Sequence, residues 1–342
     1  MLITLVDDSV PFNGASVATE PLGGPEKAFA ALAAAIAKRG HVVRALSRTA
    51  VAAAIDNVSW LPLDGRKPAI TEVLIAFRRA QLLDVMPATK RKILWLTRPA
   101  EALTRLPAAP IIARAEPHLV FVSNAQRATY SGDPPGLARV CPFGVGAIYL
   151  TAGEMEPANP PTALVTTHPS HGLDWLLELW AAKIEPQIPG AELHVYSGSL
   201  AAAERGHEPP EALRAIYARA HALHDQGVRI LEPLADAGMV EAYRRARVHL
   251  YPSAESEMHC STLAESQAVG LPAVARPLGA AKDRLLDQET GFLASEEAAF
   301  AEHAVELLTD DARFAKMSRE ARLRQRGRSW EKVAGEFEVL FR

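Results

Sequence analysis

The chain has 342 residues, a formal net charge of −3, 49% hydrophobic residues and 23% charged residues. At roughly 100–200 residues per domain, that length predicts two domains, each able to bury a core. The composition excludes disorder as the main state, and it lacks the basic footprint of a nucleic-acid binder.

Short apolar runs alternate with helical patterns from the first residue. Residues 2–6, LITLV, read as a buried strand. The stretch 25–39 reads as a helix, with Phe29, Leu32 and Ile36 on one face and Gly40 as its stop. Further strands are expected at 42–46, 73–77, 93–97 and 119–123. This alternation is the mark of a parallel sheet covered on both faces. The polar, Pro-rich stretch 151–161, TAGEMEPANPP, has no apolar period and is expected to be the linker. Beyond it, strands are expected at 162–166, 192–196, 228–231, 248–251 and 273–275. Helices are expected at 173–184, 211–224, 239–245, 263–269, 296–308 and 311–326, with a last one from Trp330. The fold class is therefore α/β, with two doubly wound, Rossmann-like parallel-sheet domains. Ligands of such sheets bind beyond the carboxyl ends of the strands, so polar residues just after strands are the candidates.

Cys141 and Cys260 have neither metal, redox nor disulfide spacing, which fits a reducing compartment. No basic leader precedes Asp7-Asp8, and no apolar run approaches ~18 residues. The expected location is the cytoplasm, with peripheral contact at the inner membrane face left open. The histidines form no recognisable metal set.

The most informative segment is 251–275, YPSAESEMHCSTLAESQAVGLPAVA. A strand ends in Tyr251-Pro252-Ser253. Glu257 and Glu265 follow with seven residues between them, and a small-residue helix stops at Gly270-Leu271-Pro272. This resembles the PS…E-x7-E…G-x-P-V-V signature of retaining GT-B glycosyltransferases of family four, also called glycosyl transferases group 1. The opening of the first long helix, Leu22-Gly23-Gly24-Pro25-Glu26 followed by LAAAIAKRGHVV, is similar to the GG-x-E start of the same family. VFVSNAQRATY at 120–130 and Pro142-Phe143-Gly144-Val145 match its scaffold, with Asn124 read as a helix cap. Ser329-Trp330-Glu331-Lys332-Val333 resembles its closing helix, which crosses back to the first domain. Trp330 is accordingly read as an interdomain packing anchor.

The resemblance implies a GT-B architecture of two domains facing across a cleft. The expected divisions are an acceptor domain 1–155, a donor domain 156–328, and a returning helix 329–342. It implies transfer of a sugar from a nucleotide diphosphate sugar to an acceptor hydroxyl with retention, and no metal cofactor. Ser261 and Thr262, at a helix start, would meet the diphosphate. Glu265 would meet the ribose, and Glu257 the transferred sugar. Gly23 and Gly24 would approach phosphate or sugar through their backbone. Gly198, Leu231 and the 279–283 turn (Gly-Ala-Ala-Lys-Asp) would present backbone to the base or sugar. The family clamps the diphosphate with an Arg and a second cation at positions held here by Thr166 and His171. An imidazolium at His171 would have to substitute, and a free imidazole titrates near pH 6.5. Lys27, Arg98 and Lys282 are other possible sources of charge.

The basic run 319–328, REARLRQRGR, reads as a solvated helix face, with a membrane-surface or acidic-partner role as its alternative. For the whole chain, the alternative to an enzyme is a catalytically weak or inactive GT-B protein. It would bind a nucleotide or partner as a scaffold in glycan assembly. The acceptor, whether saccharide, lipid-linked glycan, protein or metabolite, is not identified by these residues.

Overall fold

The structure is a computed structural model that describes residues 1–342. It divides into two compact units, one of Met1–Gly146 with Arg328–Arg342, the other of Ala147–Gly327.

The first unit carries an eight-stranded sheet: β1 Leu2–Val6, β2 Val42–Ser47, β3 Ala53–Ile55, β4 Val58–Pro62, β5 Val73–Phe77, β6 Arg91–Trp95, β7 His118–Phe121 and β8 Ala138–Val140. Their order is β3-β4-β2-β1-β5-β6-β7-β8. Every neighbouring pair is parallel except β3 with β4. Central strands such as β5, VLIAF, are buried at every residue, as expected of a sheet covered on both faces. The helix Gly24–Lys38 buries Phe29, Leu32 and Ile36. A run of aromatic contacts links Phe12, Phe29, Phe77, Trp95, Phe143 and Phe337 through this core.

The closing helix Trp330–Glu338 packs on helix Gly24–Lys38. Trp330 meets Trp95 edge to face and Phe143 at a tilt, and a Cβ on Gly144 would stand 2.9 Å from its ring. Arg39 grips Glu338 through two hydrogen bonds of 2.7 and 2.6 Å, with His41 3.0 Å from the same carboxylate. These contacts hold the Glu338 carboxyl down at about 2. Cys141 donates its thiol to Glu336 at 2.9 Å; burial, then that carboxylate, push the thiol up to about 12, so it is an inert core group.

The second unit carries β9 Thr162–Val165, β10 Glu192–Tyr196, β11 Val228–Leu231, β12 Val248–Tyr251, β13 Ala273–Ala275 and β14 Gly291–Leu293. The order is β11-β10-β9-β12-β13-β14, all parallel. Counted from β9 this is the doubly wound order 3-2-1-4-5-6, whose connections reverse direction between β9 and β12. Without β3 and β8, the first sheet has the same order and reverses between β1 and β5.

Several elements depart from the sequence expectation. The division lies between Gly146 and Ala147 rather than after residue 155. The reason is local packing: Tyr149 is fully buried against Tyr243, and the next residues are held by arginines of the second unit. Arg322 and Arg326 both donate to the Ala152 carbonyl, at 2.9 and 2.8 Å. Arg326 also donates to Ala268, and Gln325 to Arg284. The run 319–328 is thus in part a clamp on neighbouring backbone, not simply a solvated face. The hairpin β3–β4 was not expected. Its turn uses Asp56 and Asn57 at φ of 51° and 60°, the left-handed pair a tight hairpin requires, without the glycine that usually advertises it. The helix expected at 173–184 is α-helical over Leu173–Leu179 and widens into a π turn over Trp180–Ile184.

Candidate active site

The reversal point of the second sheet gathers three loops. The loop after β12 runs from Pro252 to Cys260 and feeds helix Ser261–Val269. The loop after β9 lies against it: Gly172, at φ +91°, stands so close that a Cβ would be 3.0 Å from Pro252. The loop after β13 closes the group. Ala280 donates its N–H to the Glu257 carbonyl at 2.8 Å, and a Cβ on Gly279 would fall 2.4 Å from that oxygen.

Glu257 is the centre of this arrangement. Its side chain is 10% exposed. Oε1 accepts a hydrogen bond from the Tyr251 hydroxyl. Burial pushes that hydroxyl well up, so it remains a donor. Oε2 has no hydrogen bond, and His171 Nδ1 lies 3.5 Å from it. The sequence candidates His171 and Glu257 are therefore brought together. Two further buried oxygens have no hydrogen bond, Thr167 Oγ1 just after β9 and Ser253 Oγ just after β12. Ser253 is also held at φ +55°, a conformation that strains a residue with a Cβ. His168 sits beside His171, and burial, then the neighbouring imidazole, push its pKa down.

Helix Ser261–Val269 is buried along nearly its whole length, which explains its lack of a polar stripe. Its N-cap, Cys260, offers no side-chain hydrogen bond, and no acidic residue lies in its first turn. The positive end of the helix dipole is thus left for an anion. Ser261 and Thr262 open this turn, and Ser261 Oγ lies 2.9 Å from His259 Nδ1. Glu265 follows one turn on, 7% exposed; burial, and after it the Glu265 charge, push the Tyr149 and Tyr243 hydroxyls up. Arg284, also 7% exposed, donates Nε to the His259 carbonyl at 3.1 Å, two residues before the helix.

Thr166 turns its hydroxyl inward, to Nε2 of the fully buried His249 at 3.0 Å. His249 Nδ1 meets Ser266 Oγ at 2.8 Å. Ser266 Oγ in turn donates its single hydrogen to the Leu263 carbonyl at 3.1 Å. His249 must then carry its proton on Nδ1, and Thr166 donates to Nε2. Burial holds this imidazole down at about 3, so it stays neutral. The relay ties the end of β9 to the helix carrying Glu265.

Gly198 and Leu231 come together at the neighbouring strand ends. Ser197 donates its N–H to the Leu231 carbonyl at 3.0 Å, and Pro233 lies 3.9 Å from a Cβ on Gly198. Gly23 and Gly24 belong to the first unit, where Glu26 covers the helix start they form. The sequence reading gave no role to Thr167, His249 or Arg284. Thr167 and His249 immediately follow or lie within recognised strands, the one signal that would have marked them. No three His, Cys, Asp or Glu side chains are grouped to hold a metal ion, and no helix is long and apolar enough to cross a membrane.

Residues 163–310 match the family model described as "Glycosyl transferases group 1". D-inositol 3-phosphate glycosyltransferase of Xylanimonas cellulosilytica is 33% identical over 129 residues, a match spanning 36% of this chain and 30% of that protein. Sucrose-phosphate synthase from Thermosynechococcus elongatus superposes with a TM-score of 0.77 at 16% identity, covering 99% of this chain and 98% of that one. Anabaena HepE, solved in complex with UDP-glucose, superposes with a TM-score of 0.70 at 14% identity, covering 98% of each chain. The two structural likenesses establish a GT-B fold. The matched stretch includes the Glu257–Glu265 segment.

Proposed function

We propose that the chain is a retaining glycosyltransferase that moves a sugar from a nucleotide diphosphate sugar to an acceptor hydroxyl. One observation carries the reading. Thr167 Oγ1, Ser253 Oγ and Glu257 Oε2 are buried without hydrogen bonds at the strand ends where the sheet reverses, beside an uncapped helix N-terminus. Buried polar groups without partners are costly, and a hydroxyl-rich ligand would satisfy them.

In this reading the diphosphate rests on the first turn opened by Ser261 and Thr262, and Glu265 accepts from the ribose. Glu257 faces the sugar, held in place by Tyr251 and by the Gly279-Ala280 turn. Gly198 and Leu231 present backbone to the base. Charge developing on the departing nucleotide is met by the helix dipole and by His171 in its protonated form, with Arg284 adding positive potential near the helix start. With the Thr166 hydroxyl committed to His249, that position contributes backbone rather than charge.

The test is nucleotide release from a panel of UDP-, GDP-, dTDP- and ADP-sugars, with the product anomer read by NMR. The expected product keeps the donor configuration. Glu257→Gln lowers kcat by about 10²–10³ while donor affinity stays within a few-fold, as for loss of a group acting mainly in the transition state. An inverted product contradicts retention. Because Thr166 and His171 provide no fixed cation, a second reading is a donor-binding scaffold; saturable donor binding without release would favour it.

A further inference from the structure

The loop 232–235 follows β11 and leads into helix Asp236–Arg245. Its start is fixed, because the Leu231 carbonyl accepts the Ser197 N–H at 3.0 Å. Its end has no side-chain cap at Ala235. Asp236, the first helical residue, instead accepts the Tyr149 hydroxyl on Oδ1 at 2.7 Å. Tyr149 lies on the short helix Ala147–Leu150, which packs against both helix Asp236–Arg245 and helix Ser261–Val269. The tyrosine is fully buried, and its ring leans on Tyr243 with centroids 6.2 Å apart. After burial, the Glu265 charge and then that of Asp236 act on both hydroxyls. Tyr243 bonds to neither carboxylate.

Tyr149 thus stands by two carboxylates carried on two different helices. A helix of four residues does not persist on its own. This one is held from beyond its end, where the Ala152 carbonyl accepts from Arg322 and Arg326 at 2.9 and 2.8 Å. The Thr151 hydroxyl also donates to the Ala147 carbonyl at 3.0 Å. A phenol on such an anchor fixes distance as well as direction. Burial pushes its hydroxyl far up, so it stays a donor at every working pH. A hydrogen bond to a carboxylate is among the stronger ties a buried site can make.

We propose that Tyr149 is a positioning residue of the nucleotide site: its grip on Asp236 sets the spacing between the loop that meets the base and the helix that carries the ribose glutamate. The proposal rests on the transferase reading above, which gives the base to Leu231 and the ribose to Glu265. A nucleoside spans both contacts at once, so its affinity depends on their being held at the right separation beforehand. The reacting atoms belong to Glu257 and His171, on the loops after β12 and β9. The effect of Tyr149 therefore falls on binding rather than on turnover.

Calorimetric titration of the full chain with UDP, GDP, dTDP and ADP tests it, on wild type and on Tyr149→Phe, which keeps the ring and removes only the hydroxyl. For the nucleotide that wild type binds best, Tyr149→Phe is expected to raise Kd about tenfold at full stoichiometry, as for one lost hydrogen bond to a charged group. Nucleotide release at saturating donor is expected to stay within about twofold, so the change appears in the donor KM. A merely structural role would lower the fraction of competent sites and leave Kd unchanged. Asp236→Asn keeps an acceptor oxygen for the phenol and is expected to bind within about threefold of wild type. Asp236→Ala is expected to weaken binding as Tyr149→Phe does, and the double variant no further than either single one. Asp236 is half-buried, so its variants probe the same bond even where Tyr149→Phe folds poorly. Equal Kd in wild type and Tyr149→Phe, a loss confined to turnover at unchanged KM, or additive losses in the double variant overturns the proposal and leaves the transferase reading standing. Binding of no nucleotide by wild type overturns the transferase reading and the proposal with it.

Discussion

The two sheets share one winding order, yet their reversal points are built from opposite materials. At β1/β5 the charges are paired with one another: Arg78 lies between Asp7 and Glu26, and Glu26 covers its own helix. There the two atoms without a hydrogen bond, Asp7 Oδ1 and Arg78 Nε, face each other at 3.3 Å, whereas at β9/β12 only Glu257 Oε2 has a charged neighbour, His171 at 3.5 Å; Thr167 Oγ1 and Ser253 Oγ have no hydrogen bond, and the helix beside them has neither cap nor acid in its first turn. The comparison teaches that one winding order can close its reversal point with ion pairs in one sheet and leave it open to a ligand in the other.

Removing one charge from each point sharpens this contrast. Arg78→Ala strands two buried carboxylates and is expected to destabilise the first unit by about 3–5 kcal/mol. His171→Ala, at a position 29% exposed, is expected to change the stability of the second unit by no more than about 0.5 kcal/mol. Denaturation followed unit by unit checks both, and comparable losses would erase the distinction. A smaller effect is expected from Gly279→Ala. Gly279 has φ +53°, and the new Cβ would press on the Glu257 and Ala254 carbonyls at 2.4 and 2.6 Å. The expected loss is about 1–3 kcal/mol, with displacement of Glu257 seen as a larger fall in turnover than in donor affinity. Wild-type stability in this variant would mean that the third loop does not position Glu257.

The gentlest test uses pH. His249 is held down at about 3, so between that value and the ~6.5 of an unfolded histidine only the unfolded chain takes up the proton. The unfolded state binds more protons in this window, so this residue makes stability fall as the pH drops, by about 1.4 kcal/mol per unit. His249→Asn is expected to flatten the acid limb of the second unit's stability profile, and the wild-type ring is expected not to titrate from pH 5 to 8 by NMR. A ring that titrates near 6 would break the relay from Thr166 to Ser266.

Much of the fold was legible because its central strands are short apolar runs between turn signals, as at LITLV and VLIAF. The edges were not. β8 is exposed at all three residues, and β14 opens on a glycine, so neither shows a period. The site divides in the same way. Glu257 and Glu265 stand out because their spacing is written in the chain. That Thr167 and Ser253 lack hydrogen bonds is a property of three loops meeting, which no local pattern encodes. Thr166 illustrates the converse: it sits at the expected place, but His249, 83 residues on, takes its hydroxyl. The basic run of the last long helix read as a surface feature because periodicity does not reveal that Arg322 and Arg326 reach the Ala152 carbonyl.

The central claim is that the β9/β12 reversal point holds a nucleotide diphosphate sugar. Calorimetric titration of the full chain with the UDP-, GDP-, dTDP- and ADP-sugar panel, repeated on Glu265→Ala, tests it most directly. The account predicts saturable binding of at least one donor and its loss by about 100-fold or more in Glu265→Ala, the loss of a charged hydrogen-bonding group at the ribose. Binding of equal strength in the variant, or no binding across the panel, would contradict it.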